Sequence, residues 1–280
     1  MAGFGVLKYR LLAFFAVFGP GFITANVDND PGGILTYSQA GARLGYVLLW
    51  TLIPTTIALI VVQEMAARMG AVTGKGLADL IREEFGLRAT FFVMVVLGIA
   101  DFGNIMAEFA GLASGMGIFG VSKYLVVPLG AALVWWVVVR GTYKPVEKIL
   151  ILFSLVYFTY PISALLAHPD WRQALKDTFV PHVSSQGDYI VLVVGLVGTT
   201  ITPWMQFYLQ ASIVEKGIGK RQYALSRWDV VLGCIVTDVI AFFIVVACAA
   251  TLYLNGNHNI TDAADAAVAL KPLAGRWAYL

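Results

Sequence analysis

Apolar residues in this chain fall into long, nearly uncharged runs separated by short polar stretches. Seven runs approach or exceed membrane-crossing length: residues 11–42, 46–69, 90–119, 124–139, 149–166, 189–214 and 230–254. A helix needs about 20 mostly apolar residues to cross the hydrocarbon core, so each run predicts a transmembrane helix. Between the second and third runs, residues 75–84 mix charged and apolar positions and predict a short amphipathic surface helix.

Two runs carry internal breaks. The first contains Asp30-Pro31-Gly32-Gly33, and the sixth contains Thr199-Thr200-Ile201-Thr202-Pro203. A carboxylate at the bilayer centre costs at least about 2.5–3.5 kcal/mol, so such a group faces a partner, a cavity or an ion. Proline removes a backbone donor and glycine lets the chain leave the helix. Unwound backbone at membrane depth survives only where protein or a water-filled cavity surrounds it. Breaks at corresponding positions of two halves point to a site shared by two inverted repeats. The expected organisation is one transmembrane domain, 1–280. Residues 1–167 would form a first five-helix repeat and 188–280 a partial second. A full second repeat needs ten helices, so the chain reads as truncated after about seven. Gly275–Leu280 resembles the entry to an eighth.

Composition agrees with the pattern: 59% hydrophobic, 13% charged, mean hydropathy +0.78. The net charge of +2 and the absence of a long basic run give no sign of nucleic acid, and no obligate protein partner is evident. With the N-terminus inside, 13 of the 19 Lys and Arg fall on inner segments and six on outer ones. The positive-inside rule then predicts a cytoplasmic N-terminus in a plasma (inner) membrane. Lys8 and Arg10 precede the first run without a small-residue cleavage site, which reads as a first helix and not a signal peptide. Cys234 and Cys248 lie on one predicted helix, about 21 Å apart, too far for a disulfide. The three histidines fall in outer loops, and no hydrolase, metalloprotease or phosphate-loop motif is present, so an enzyme or ATP-driven pump is not expected.

Asp30 is the leading candidate, an oxygen ligand for a cation, with Asn26, Asp28 and Asn29 just before it; the plainer reading is a helix cap at a kink. Thr199, Thr200 and Thr202 flank the second break and are candidates for a direct or water-mediated metal contact; the plainer reading is a hydroxyl bonded back to the carbonyl four residues earlier. Asp101, Asn104 and Glu108 share one face of the third helix, and Glu108 could relay a proton or be a buried structural acid. Asp238 in the seventh run is a weaker candidate of the same kind. Trp204 could pack, gate or wall the site, and Glu64 with Arg68 reads as a helix ion pair.

Several stretches together resemble one family. They are Gly19-Pro20-Gly21-Phe22, Asp30-Pro31-Gly32, Gln39-Ala40-Gly41-Ala42, residues 63–77 with Arg68, Gly70 and Thr73-Gly74-Lys75, Ala107-Glu108-Phe109, and Gly198 to Pro203. Over essentially all 280 residues the chain resembles the natural resistance-associated macrophage protein (NRAMP) family of divalent metal transporters. The resemblance implies an all-α integral membrane protein of LeuT-type inverted-repeat architecture, with discontinuous helices 1 and 6. It also implies manganese or iron as substrate, commonly moved with protons, and no cofactor. Asp30 carries over as a metal ligand, Thr199 as a carbonyl ligand and Glu108 as a relay.

The departures matter more. Gly33 stands where the family's Asp-Pro-Gly-Asn motif has asparagine, Thr202 where it has methionine, Trp204 where it has histidine, and Ile105 where the third helix has aspartate. Thioethers suit transition metals, whereas hydroxyl, carboxylate, carbonyl and water suit magnesium, which keeps several waters. Losing the asparagine side chain at Gly33 and shortening methionine to threonine at Thr202 would enlarge the site for that shell. The pattern resembles the NRAMP-related magnesium transporters. The expectation is Mg²⁺ entry, with Mn²⁺ also carried, without tight proton coupling. The alternatives are a proton-coupled Mn²⁺/Fe²⁺ symporter and, less favoured, an organic-solute symporter of the same architecture, whose anionic substrate Asp30 would repel.

Overall fold

The computed structural model describes residues 19–140, 151–152, 154–262 and 265. The expectations for residues 11–18, for Lys144 and Lys148, and for Gly275–Leu280 lie outside them. Every regular element among the described residues is helical. In chain order these are α1 (Pro20–Asn26), a 3-10 turn (Val27–Asn29), α2 (Pro31–Leu44), a second 3-10 turn (Leu49–Thr51), α3 (Leu52–Thr73), α4 (Leu77–Ile118) and α5 (Lys123–Arg140). A third 3-10 turn (Leu155–Phe158) leads into α6 (Thr159–Leu166), α7 (Trp171–Phe179), α8 (Gly187–Thr200), α9 (Pro203–Glu215) and α10 (Tyr223–Cys248), which ends in a π turn (Ala249–Tyr253).

Both breaks form where the sequence places them. The first helix divides into α1 and α2 around Asp30, and the sixth into α8 and α9 around Ile201 and Thr202. Five segments are long and apolar enough to cross a membrane: Leu49–Thr73, Leu77–Ile118, Lys123–Arg140, Gly187–Glu215 and Tyr223–Tyr253. Helices α4 and α5 expose Phe91, Phe92, Phe102, Trp135 and Val138 along their outer faces, a surface that suits lipid and not water. The surface helix expected at 75–84 is the first part of α4. Gly86, at φ 82°, breaks the helix there, a left-handed conformation that a side chain would resist. A Lys75–Glu83 ion pair at 2.7 Å ties that segment together. Glu64 and Arg68 pair at 3.7 Å as expected, and both cysteines are buried thiols outside any disulfide. Helix α7 was not foreseen. It starts where Asp170 accepts the Gln173 amide at 3.0 Å, and its Trp171 ring meets Phe243 edge-on.

The chain forms two compact units, and each draws on both expected repeats. The first comprises the described parts of Met1–Val27, Thr56–Phe102 and Ile201–Thr237. Its core joins Ala25 of α1, Leu59, Ala66 and Ala67 of α3, Leu209 and Ile213 of α9, and Val230 of α10. The alanines let helices approach closely, which is how membrane helices gain packing energy. Gln210, fully buried, donates to the Lys75 carbonyl at 2.8 Å and fastens the exit of α3 to α9.

Asp229 of α10 organises this unit. Its Oδ1 accepts the Gly19 and Phe22 amides at 3.2 Å, and its Oδ2 accepts the Gly21 amide at 2.7 Å. Position 20 is proline and has no amide to satisfy. One carboxylate therefore meets the donors that α1 leaves open at its start, and a carboxylate at a helix N-terminus also complements the dipole.

The second unit comprises the described parts of Asp28–Thr55, Gly103–Thr200 and Asp238–Leu280. Helix α2 runs through its middle, with Tyr37, Ala40 and Ala42 fully buried. It packs on α8 and on the π turn that ends α10. Its far end is held by His258 Nδ1 against the Ala42 carbonyl at 2.7 Å and by Gln39 donating to the Ile260 carbonyl at 2.8 Å.

Replacing Asp229 by alanine leaves buried amides unpaired and should destabilise the protein by about 2–4 kcal/mol. Thermal unfolding of the purified protein in detergent checks this; an unchanged midpoint would show that the cap is dispensable.

Candidate ion site

Asp30 adopts an extended backbone (φ −67°, ψ 172°) and caps α2. Its Oδ1 accepts the Gly33 amide at 2.6 Å, and Pro31 takes the first helical position, where a missing amide costs nothing. The capping role and the ligand role are not exclusive, because a carboxylate has two oxygens. The Asp30 carboxyl also lies within electrostatic reach of the Glu108 carboxyl of α4. Helix α4 comes this close because position 111, one turn beyond Glu108, is glycine; a Cβ there would overlap the Pro31 ring. Tyr157, on the turn before α6, lies within electrostatic reach of both carboxyls. Asp30 and Glu108, named separately from sequence, are thus brought together, and Tyr157 joins them with no signal in the sequence.

Gly33 behaves differently from expectation. The space a side chain would fill is not open for water, because a Cβ at position 33 would collide with the Asp28 carbonyl oxygen. The glycine lets the 3-10 turn fold tightly against α2. It does not enlarge the site.

The Thr200 hydroxyl is engaged within the fold. It donates to the Leu196 carbonyl at 2.8 Å and meets the Tyr37 hydroxyl at 2.9 Å, fully buried. It joins α8 to α2 as packing, the back-bonded state common for helical threonine. Thr199 is half-buried in the last turn of α8, whose final four carbonyls lack intrahelical amides. Its carbonyl is therefore one of the oxygens the break sets free.

Thr202 and Trp204 belong to the first unit. Thr202 precedes α9 without capping it, and its Oγ1 is buried with no hydrogen-bond partner. Trp204 packs on the core of that unit and meets Tyr208 edge-on, with Nε1 buried and unbonded. On α4, Asp101 falls in the first unit, while Asn104 and Glu108 fall in the second; all three are half-buried. Among the described residues, no three His, Cys, Asp or Glu side chains gather as a metal cage. Two residues of consequence were not singled out from sequence. Asp229 lacks any motif, whereas Tyr37 sits seven residues past Asp30, on the same face of α2.

Paired discontinuous helices and a carboxylate at the first break define a multi-pass membrane protein with the LeuT-type fold. A crystal structure of the Eremococcus coleocola manganese transporter, in complex with an aromatic bis-isothiourea substituted compound, superposes with a TM-score of 0.77 at 20% identity, covering 97% of this chain and 61% of that one. The family described as natural resistance-associated macrophage protein-like matches residues 21–280, and the chain belongs to that Nramp family. The divalent metal cation transporter MntH of Erwinia tasmaniensis is 32% identical over 277 residues, 95% of this chain and 66% of that protein. MntH of Klebsiella pneumoniae is 30% identical over 268 residues, 92% of this chain and 64% of that protein. The chain thus spans just under two thirds of the length of these curated relatives.

Substituting Gly33 by asparagine, the residue the family motif carries, should cost about 1–3 kcal/mol through overpacking against Asp28. A thermal midpoint equal to that of the native protein would show that the turn has room after all.

Proposed function

We propose that this protein moves divalent cations across the membrane, with Asp30 as the charged ligand and Mg²⁺ among its substrates alongside Mn²⁺. The observation that carries the reading is the Asp30 carboxylate at the start of α2, a helix that begins within the membrane-spanning stretch. Carbonyls from the end of α8, Thr199 among them, and water would complete an all-oxygen ligand set. That set suits a hard cation that holds its water and needs only one or two carboxylates. Thr202 in place of methionine supports the same preference, since it removes the soft ligand. Glycine at position 33 no longer does, because its space is filled. The names of the MntH relatives and of the manganese transporter support a divalent cation in general.

One observation favours a second reading, proton-coupled Mn²⁺ or Fe²⁺ transport. Asp30 and Glu108 bring two carboxyl groups within electrostatic reach of each other, an arrangement that favours one shared proton. A cation arriving at Asp30 would displace it, and the movement of that proton could be tied to transport. We favour the uncoupled reading because Ile105 and Trp204 stand where the family has further ionisable residues. The N-terminus is proposed to lie in the cytoplasm, from the excess of Lys and Arg on inner segments.

Proteoliposomes distinguish the readings. Mn²⁺ uptake should continue without a pH gradient, fall when millimolar-range Mg²⁺ is added outside, and drop to background in Asp30→Ala. Strict dependence on an imposed pH gradient, abolished in Glu108→Gln, would establish the coupled mechanism instead. Uptake unaffected by Asp30→Ala would remove the site assignment altogether.

A further inference from the structure

Helix α2 carries Asp30 at its start, and α8 ends at Thr200. The packing of these two helices therefore governs where the carbonyls that end α8 stand. Their contact has an apolar part and a polar part. Gly195 lets α8 lie against α2, since a Cβ there would stand 3.4 Å from the Thr36 methyl. Thr36 spends its hydroxyl on the Gly32 carbonyl at 2.8 Å. Just over one turn further along α8, the Thr200 hydroxyl meets the Tyr37 hydroxyl at 2.9 Å, and both residues are 0% exposed.

Hydrogen-bond accounting gives the polar contact a direction. Thr200 has a single hydroxyl proton, and it goes to the Leu196 carbonyl at 2.8 Å. Tyr37 must therefore donate to the Thr200 oxygen. With no water to replace either partner, breaking that bond would leave a buried phenol proton unsatisfied. A long side chain on a helix leans towards the helix start. Tyr37 fits that rule, because its hydroxyl lies within electrostatic reach of Asp30. Thr200 is thus tied down on the Asp30 side of α2, and Thr199 beside it has a carbonyl without an intrahelical amide.

We propose that Tyr37 is a positioning residue for the transported cation: by donating to Thr200 it fixes the end of α8 against α2, and so holds the Thr199 carbonyl in place for an ion at Asp30. Tyr37 does not touch the ion; it acts through Thr200. The last turn of a helix frays and tightens readily, so a carbonyl there is a precise ligand only if the turn is anchored. A neutral hydroxyl suits the task, because a cationic donor in its place would repel the ion. This asks more of Tyr37 than packing does. Phenylalanine would fill the same space and leave the Thr200 oxygen without its donor. The inference rests on the reading of Asp30 and the Thr199 carbonyl as cation ligands.

Titrating the purified full chain with Mn²⁺ tests it, following the electron paramagnetic resonance signal of free aquo-Mn²⁺. The titration reads Kd and the number of sites separately. Tyr37→Phe should raise Kd about 3- to 10-fold, the worth of one net hydrogen bond, with the number of sites unchanged. Thr200→Val should do the same, and Thr200→Ser, which keeps the hydroxyl, should bind as the native chain does. The double variant Tyr37→Phe/Thr200→Val should be no weaker than either single one, as for two partners in one bond. A merely structural tie would lower the number of competent sites or the thermal midpoint and leave Kd where it was. That result would overturn the proposal, as would additive losses in the double variant. Where Tyr37→Phe fails to fold, the contrast between Thr200→Val and Thr200→Ser decides. Lost binding in Asp30→Ala with an unchanged Kd in Tyr37→Phe would overturn this inference alone. Native-like binding by Asp30→Ala, or none by the native chain, would overturn the ion site with it.

Discussion

A helix that stops inside a bilayer leaves amides at its start and carbonyls at its end that hydrocarbon cannot solvate. This chain makes such stops twice, and much of its buried polar architecture answers them. At α1, Asp229 reaches from another helix to take three amides. At α2, Asp30 does the same locally for Gly33, with proline filling the next position. At the end of α8, Thr200 turns its hydroxyl back onto Leu196 and locks to Tyr37. Carboxylates are suited to the N-terminal task because they carry charge that the helix dipole favours.

Such a solution places negative charge where solvent is scarce, and function grows from that. Asp30 uses one oxygen to hold the helix, and in the function proposed above the other is the cation ligand. Glu108 approaches it because Gly111 lets α4 pass against Pro31. Asp28 is the more extreme case, since its buried carboxylate caps nothing and neutralises nothing. An oxygen-rich region with surplus negative charge, set beside freed carbonyls, is a place where a hard cation is stabilised. The membrane class, the broken helices and the proposed ion chemistry are thus consequences of one constraint.

Much was legible in advance. Five of the seven spans, both breaks, the surface helix before Gly86 and the Glu64–Arg68 pair follow from hydropathy, breakers and i,i+4 spacing, all of them local properties. Asp30 was legible because a carboxylate beside two helix breakers is costly in an apolar run unless it has a task there. Helix α7 was missed because its nine residues carry too little apolar length to stand out between spans. Asp229 was missed because its partners lie more than 200 residues away, a separation no local pattern encodes.

The sequence by itself determined where the chain would leave the helix and which charged residues the membrane would enclose, because breakers and hydropathy act over a few residues. Only the tertiary structure decided what each side chain does there. It turned Gly33 from an open space into a contact with the Asp28 carbonyl, and it made the Thr200 hydroxyl a tie between helices. It also set Asp28 against Asp238 and Asp30 against Glu108. Those pairings depend on which faces of distant helices meet, and packing settles that.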